Sequence, residues 1–325
     1  MFDIITFGSA TQDIIVKPKQ LTSLKFQKEA SSNEVCFPMG SKIEVDAMDF
    51  YSGGGGTNTA ATFALQGFKT AFCGTVGLDA HGQNIVNELK QLRINTGLIK
   101  RTKEKLTNHS IVISGNVQDR TVFAYRGAAE LMGKQDIPWR KLKAKWLYIA
   151  PLSGELAANF EELVNFAHEH KIKVAVNPSM AQLSLPNFVQ IAQKIDVLIL
   201  NQEEASFLTK IPFEKEQAIF NEIDKICLGV AVMTKGGDGV TVSDGRHIFS
   251  AKPQEARIVV DTLGAGDAFG SGFVAEFIRS GNIEASIQFG MANSVGNLSQ
   301  VGAKTGLLKR GQEFEKVEVK KESVQ

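Results

Sequence analysis

The sequence predicts an α/β protein of three layers, with helices on both faces of a mostly parallel central sheet and a small β-sheet lid beside it. Three observations predict this class. Continuous apolar runs recur at 4–8, 70–77, 146–150, 173–177, 196–201 and 230–235, and such runs read as strands buried on both faces. Helical patterns lie between most of them, at 57–66, 82–92, 155–170, 202–209 and 214–226, which is the alternation of βαβ units. Two β-rich segments, 33–51 and 107–126, break the rhythm without a helix, and these are the lid.

Taken in order, "IITFG" (4–8) is the first strand and Asp13 lies a few residues past it. Within the long segment 17–51, "VCF" and "KIEVD" read as short strands around the turn "PMGS". "GGGGTNTAATFALQG" then places Gly53–Gly56 before a small-residue helix that ends at Gly67, a residue suited to a helix C-cap. Runs 109–113 and 121–125 form a hairpin that leads to Arg126. His168 and His170 sit two apart on a helix, so they point to different faces and share no metal. Asn177 and Asn201 end strands, and Asn201 is followed by acids at Glu203 and Glu204. Lys235-Gly-Gly-Asp-Gly239 follows the strand 230–235. "DTLGAGD" (261–267) opens a helix with Phe269, Phe273 and Phe277 on one face, and another helix covers about 283–299. Residues 1–310 thus read as a single domain, and the charged tail 311–325 is expected to fray.

Bulk numbers exclude several classes. The 325 residues, 43% of them hydrophobic, suffice for one large domain or two average ones. Thirty-six basic against 35 acidic residues leave a net charge of +1, without the basic excess of a nucleic-acid or membrane-surface protein. Cys36, Cys73 and Cys227 are odd in number and far apart, which implies neither a zinc site nor a disulfide framework. No secretory signal and no run of ~18 apolar residues is evident, so a cytoplasmic protein is expected.

The chemistry starts at "DTLGAGD". The N–H groups at a helix mouth are unpaired and its dipole favours negative charge. Asp267 is therefore either an ordinary first-turn acid or a proton acceptor beside a backbone cradle for phosphate. Neither common cradle is present. No segment matches the P-loop pattern Gly-x-x-x-x-Gly-Lys-Ser/Thr, and "GAGDAF" places Phe269 where the dinucleotide fingerprint needs a third glycine. Other pieces also carry two readings. Asn58 either caps its helix or bonds a ligand on the glycine backbone. Thr234 and Lys235 belong either to a plain hairpin turn or to a phosphate contact. Asn201 and Glu204 form a helix cap, with or without holding a metal through water. All of these lie past strands or at helix starts, the edge where open α/β sheets bind ligands.

Together these pieces resemble the ribokinase-like carbohydrate kinases, the PfkB family. "DTLGAGDAFGSGF" is similar to the family's C-terminal signature and "GGGGTNTAATFALQG" to its N-terminal one; "GSATQD", "VNP", "NQEE" and "TKGGDG" follow in the family's order, over about residues 3–307. The resemblance implies a ribokinase-like three-layer domain whose lid often forms a homodimer. It implies transfer of the γ-phosphoryl of ATP, with Mg²⁺, to a hydroxyl of a sugar or nucleoside. In this sequence Asp267 would be the base and Gly264, Ala265 and Gly266 the anion hole. Asp13, Gly54 and Asn58 would contact the sugar, with Arg126 within reach of a substrate phosphate or carboxylate. Thr234, Lys235, Gly237 and Asn293, with Asn177 nearby, would serve the nucleotide. Asn201 and Glu204 would organise Mg²⁺ through water, and Asp261 would mark a site for a monovalent cation such as K⁺. Gly55 stands where ribokinases proper often carry Lys, and segment 17–51 is long. The alternatives are a nucleoside kinase, a non-catalytic sugar- or nucleotide-binding relative and an oxidoreductase. At the helix mouth the pKa of Asp267 is expected to be lowered.

Overall fold

A computed structural model describes residues 1–19, 23–24, 34–35, 39–114, 120–253 and 259–324. Its strands are β1 (Phe2–Phe7), β2 (Thr11–Pro18), β3 (Ser23–Leu24), β4 (Glu34–Val35), β5 (Val45–Gly53), β6 (Thr70–Gly77), β7 (Asn95–Thr102), β8 (Asn108–Ser114), β9 (Arg120–Tyr125), β10 (Ala144–Ile149), β11 (Lys173–Val176), β12 (Val197–Asn201), β13 (Val230–Thr234), β14 (Val240–Ser243), β15 (His247–Ala251) and β16 (Lys320–Ser323). Its helices are α1 (Gly55–Leu65), α2 (Ala80–Gln91), α3 (Gly154–Ala158), α4 (Phe160–Glu169), α5 (Met180–Leu183), α6 (Phe188–Ala192), α7 (Gln202–Thr209), α8 (Glu216–Ile226), α9 (Ala265–Ser280) and α10 (Ile283–Leu298).

The central sheet has ten strands in the order β16-β15-β14-β13-β12-β11-β10-β1-β6-β7. Every pairing from β13 across to β7 is parallel, and β14, β15 and β16 complete the edge antiparallel. Alternate strand residues enter two cores. Ile5, Phe7, Leu147, Ile149, Leu198 and Leu200 pack with α4, α6 and α8 on one face. Ile4, Tyr148, Val197, Ile199, Val230 and Val232 pack with α9 and α10 on the other. Phe72, Val76, Ile85 and Leu89 join α2 to the sheet. Both faces of each central strand are thus covered, which is why the strands are apolar without interruption.

The lid is a four-stranded sheet, β5-β2-β8-β9. Its β8–β9 hairpin is the one expected from 109–113 and 121–125. The strand expected at "KIEVD" runs instead from Val45 to Gly53. From "VCF", Val35 falls in the β3–β4 pair, and Cys36 and Phe37 lie outside the described residues. Strand β2 is an addition, paired antiparallel to β5 and parallel to β8. It places Asp13 inside the lid rather than in a loop past β1.

Two further expectations need correction. The helix expected over 155–170 is two helices, because Asn159 has φ −94° and ψ 14° at the junction and its Nδ2 donates to the Glu155 carbonyl at 2.7 Å. Such side-chain bonds to the backbone compete with a continuous helix. The charged tail does not fray throughout: β16 pairs with β15 and Lys321 lies 5.3 Å from the centre of the Phe249 ring. The open edge of β15 offers backbone partners, and charged side chains suit an edge strand.

Phe273 is fully buried and stacks between Phe269 and Phe277, at 6.2 and 6.1 Å between ring centres. This aromatic row seats α9 on the sheet. Phe273→Ala is expected to cost ~3–5 kcal/mol in denaturant unfolding; a loss below ~1 kcal/mol would show that the row does not anchor the helix.

Candidate active site

Two helix mouths meet beyond the carboxyl ends of β1 and β10. α1 is capped by Gly54 at φ 94°, where a Cβ would lie 2.6 Å from the Ser9 carbonyl oxygen. Only glycine fits both constraints. α9 is capped by Gly264 at φ 83°, where a Cβ would lie 2.6 Å from that of Ala303. The α9 ladder begins with the Ala268 N–H on the Gly264 carbonyl at 2.8 Å, and the Ala265 N–H reaches only the Thr262 carbonyl, at 3.4 Å. The N–H groups of Gly266 and Asp267 have no acceptor among the described residues. Together with the helix dipole they make an anion site.

The side chain of Asp267 faces α1. Its Oδ2 accepts a hydrogen bond from Asn58 Nδ2 at 2.8 Å, and its Oδ1 lies 3.4 Å from where a Cβ on Gly55 would stand. Burial holds the Asp267 carboxyl above its ordinary value of 3.8, and the Asn58 bond pulls the other way. The expected lowering at the helix mouth is therefore reversed: taking the carboxylate out of water is the largest cause and raises its pKa. Asn58 is 5% exposed, and its Oδ1 has no partner among the described residues.

Gly266 and Ala265 also line one end of a cavity of about 1030 Å³. Thr234, Gly236, Gly237 and Gly239 form one wall, and Phe269, Met291, Ser294 and Val295 the other. The volume matches a drug-sized or nucleotide-sized ligand. The β13–β14 turn that supplies the first wall is the hairpin turn read from the sequence. Lys235 does not line the cavity; its Nζ is 3.0 Å from Glu216 Oε2 on α8. Nor does Asn293, which is fully buried, donating to the Ala268 carbonyl at 2.7 Å and accepting from the Leu308 N–H at 2.9 Å. Asn293 ties α10 to α9, and its neighbours Met291, Ser294 and Val295 face the cavity instead. Their helical spacing on α10 was the signal that could have found them. Asn177 donates to the Ile199 carbonyl at 3.1 Å and is also outside the lining.

The remaining sequence-predicted residues lie on the lid sheet and at the starts of other helices. Asp13 is buried on β2, opposite Tyr51 and Ser110 in the lid register. A Cβ on Gly53 would lie 1.9 Å from Asp13 Oδ2, so the carboxylate rests directly on the glycine backbone. Arg126 is exposed just beyond β9.

Asn201 and Glu204 form a reciprocal capping box at the start of α7, each side chain accepting the other's N–H at 2.8 Å. Burial raises the carboxyl of Glu204, the Asn201 N–H lowers it and Glu203 raises it further. Asp261 binds two amides: Oδ1 accepts from Leu263 at 2.9 Å and Oδ2 from Gly302 at 3.0 Å. Its carboxylate ties two loops together.

Comparisons with known proteins agree with this fold. A model of the pfkB family of carbohydrate kinases matches residues 3–310. A ribokinase of Haemophilus influenzae is 25% identical, over 82% of this chain and 87% of that protein. A cytidine kinase of Thermococcus kodakarensis is 26% identical, over 80% and 90%. The structure of Arabidopsis thaliana ribokinase complexed with ribose and ATP shares the fold, with a TM-score of 0.77 and 22% identity over 94% of this chain and 96% of that one.

A raised folded-state pKa means that ionising Asp267 costs folding free energy, so this cost grows as pH rises from the unfolded value towards the folded one. Asp267→Asn is expected to melt at a higher temperature than the wild type at pH 7, with an advantage that shrinks towards pH ~4. Equal melting temperatures at both pH values would contradict the burial argument.

Proposed function

The chain belongs to the pfkB family of carbohydrate kinases, and we propose that it moves the γ-phosphoryl group of ATP to a hydroxyl of a sugar, using Asp267 as base. The observation that carries this reading is the convergence of the Asp267 carboxylate, the open amides at Gly266 and the cavity of about 1030 Å³ at one helix mouth. The cavity takes the nucleotide, with Thr234 and Gly237 on its wall, and its phosphates reach towards Gly264–Gly266. The acceptor hydroxyl lies between Asp13 and Asp267. Its oxygen forms a bond to the γ-phosphorus as the bond from that phosphorus to the β–γ bridging oxygen breaks. ADP leaves, and the hydroxyl proton passes to Asp267. Phosphoryl transfer needs positioning and charge stabilisation above all, and fixed amides provide both.

Mg²⁺ fits the donor set in one way. No cluster of three or more His, Cys, Asp or Glu is present among the described residues, so a dedicated cage is not on offer. The carboxylate of Glu204 stands just past β12, and Mg²⁺ is commonly held by one or two carboxylates, phosphates and water. The ion would neutralise charge on the phosphate oxygens. Each oxygen of Asp261 accepts one of these two amide N–H groups and keeps a further lone pair, so Asp261 could still contribute to a K⁺ site at this loop beside carbonyl oxygens.

A nucleoside is the alternative acceptor, favoured by the similarity to a cytidine kinase. A non-catalytic binding role is disfavoured by the intact Asn58–Asp267 pair. The lid supports a further proposal, a homodimer. Phe50, Ile14, Ile111 and Phe123 stand side by side across its four strands, and Phe50 is 58% exposed. A second copy would cover this row. No helix among the described residues is long and apolar enough to cross a membrane.

Turnover of ATP with a sugar and nucleoside panel tests the reading. Asp267→Asn should lower kcat by ~10²–10⁴-fold without loss of nucleotide binding; a change below ~10-fold would remove Asp267 from the role. Glu204→Gln should raise the Mg²⁺ concentration needed for half-maximal rate, and an unchanged requirement would remove the metal assignment.

A further inference from the structure

Lys304 lies in the turn after α10, and its side chain is only 7% exposed. An ammonium so enclosed is costly unless charge and hydrogen bonds compensate it. Its Nζ donates to Ser52 Oγ on β5 at 2.5 Å and stands 3.7 Å from Glu88 Oε1 on α2. Ser52 in turn donates to Glu88 Oε2. Ser52 precedes Gly53, on whose backbone the Asp13 carboxylate rests, so the contacts of Lys304 fix the part of β5 that backs Asp13.

The turn that carries Lys304 reaches the reacting edge as well. The Gly302 N–H donates to Asp261 Oδ2 at 3.0 Å, and Asn297 Nδ2 holds the Gly302 and Thr305 carbonyls at 3.0 and 3.1 Å. A Cβ on Gly302 would lie 2.7 Å from the Tyr51 ring, and Ala303 packs on Gly264. One short turn thus touches the cap of α9, the Asp261 loop and the lid strand β5.

We propose that Lys304 is a positioning residue of the acceptor end: fastened to Glu88 and Ser52, it holds β5, and with it the Asp13 carboxylate that rests on Gly53, in register with the amides at Gly264–Gly266. This rests on the reading of Asp13 as an acceptor ligand. Burial takes the pKa of Lys304 below its ordinary value, although Glu88 and Asp13 pull it back up.

The test uses the full chain with ATP and D-ribose, 2-deoxy-D-ribose, cytidine and adenosine as probe acceptors. Wild-type turnover is measured first; no product from any probe overturns the kinase reading and this proposal with it. With turnover in hand, Lys304→Met should raise the acceptor KM by about 10-fold or more, with the ATP KM within about 2-fold. Removing the ammonium also strands Glu88, so the variant may be read only beside Lys304→Met/Glu88→Gln, which removes both charges. That double variant should recover the wild-type melting temperature yet keep the raised acceptor KM. An acceptor KM within about 2-fold of wild type in the double variant shows that Lys304 merely balances Glu88, and overturns the proposal. So does an equal rise in both KM values.

Discussion

A hydrogen bond of 2.8 Å between Asn58 and Asp267 sets the distance between α1 and α9, and the site depends on that distance. Asn58 lies in the first turn of the helix entered directly from lid strand β5, while Asp267 lies in the first turn of the helix whose amides face the cavity. The two helices pack together through small residues, with Ala61 and Ala268 in one buried cluster. Larger side chains there would part the helix mouths, and the carboxylate, the amides and the lid strand would no longer share one edge.

The central sheet turns this local contact into a fixed geometry. β1 and β10 pair in parallel over Phe2–Phe7 and Ala144–Ile149, and Gly55 approaches Ala150 and Pro151 just past their ends. Helix α9 is seated by its aromatic row and by Asn293, whose amide joins it to α10 and to the backbone of Leu308. The lid lacks such support on its outer face, where Phe50 and Phe123 remain exposed. Rigid amides and a separate sheet that carries Asp13 suit the proposed reaction, which must exclude water before the phosphoryl group moves.

Much of this was legible in the sequence, for identifiable reasons. The strands from β10 to β13 are apolar on both faces, so they read as runs, and the glycines before α1 and α9 marked both helix mouths. Strand β2 was hidden because "TQDIIVKP" has one short apolar run and follows β1 after only a few residues. Strand β16 was hidden because its charged residues read as a solvated tail, and only the open edge of β15 gives them a partner. Asn293 was placed in the correct helix but on the wrong face, since its helical phase is set by the contact between α9 and α10. Lys304 gave no signal at all. Its partners Ser52 and Glu88 lie far away in the chain, and only the fold brings them to one ammonium.

The environment of Asp267 shows how stability and chemistry oppose each other at one residue. A carboxylate open to water would keep an ordinary pKa and cost the fold nothing, but it would be a weaker base and would admit water beside the phosphoryl group. Enclosing it raises its pKa, which favours proton acceptance from an alcohol and destabilises the folded state at neutral pH. The Asn58 bond limits that cost, because it stabilises the ionised form. Desolvation and a single donor therefore act in opposite directions on the same carboxylate, and desolvation is the larger, so it is oriented by Asn58 and more basic than an exposed aspartate.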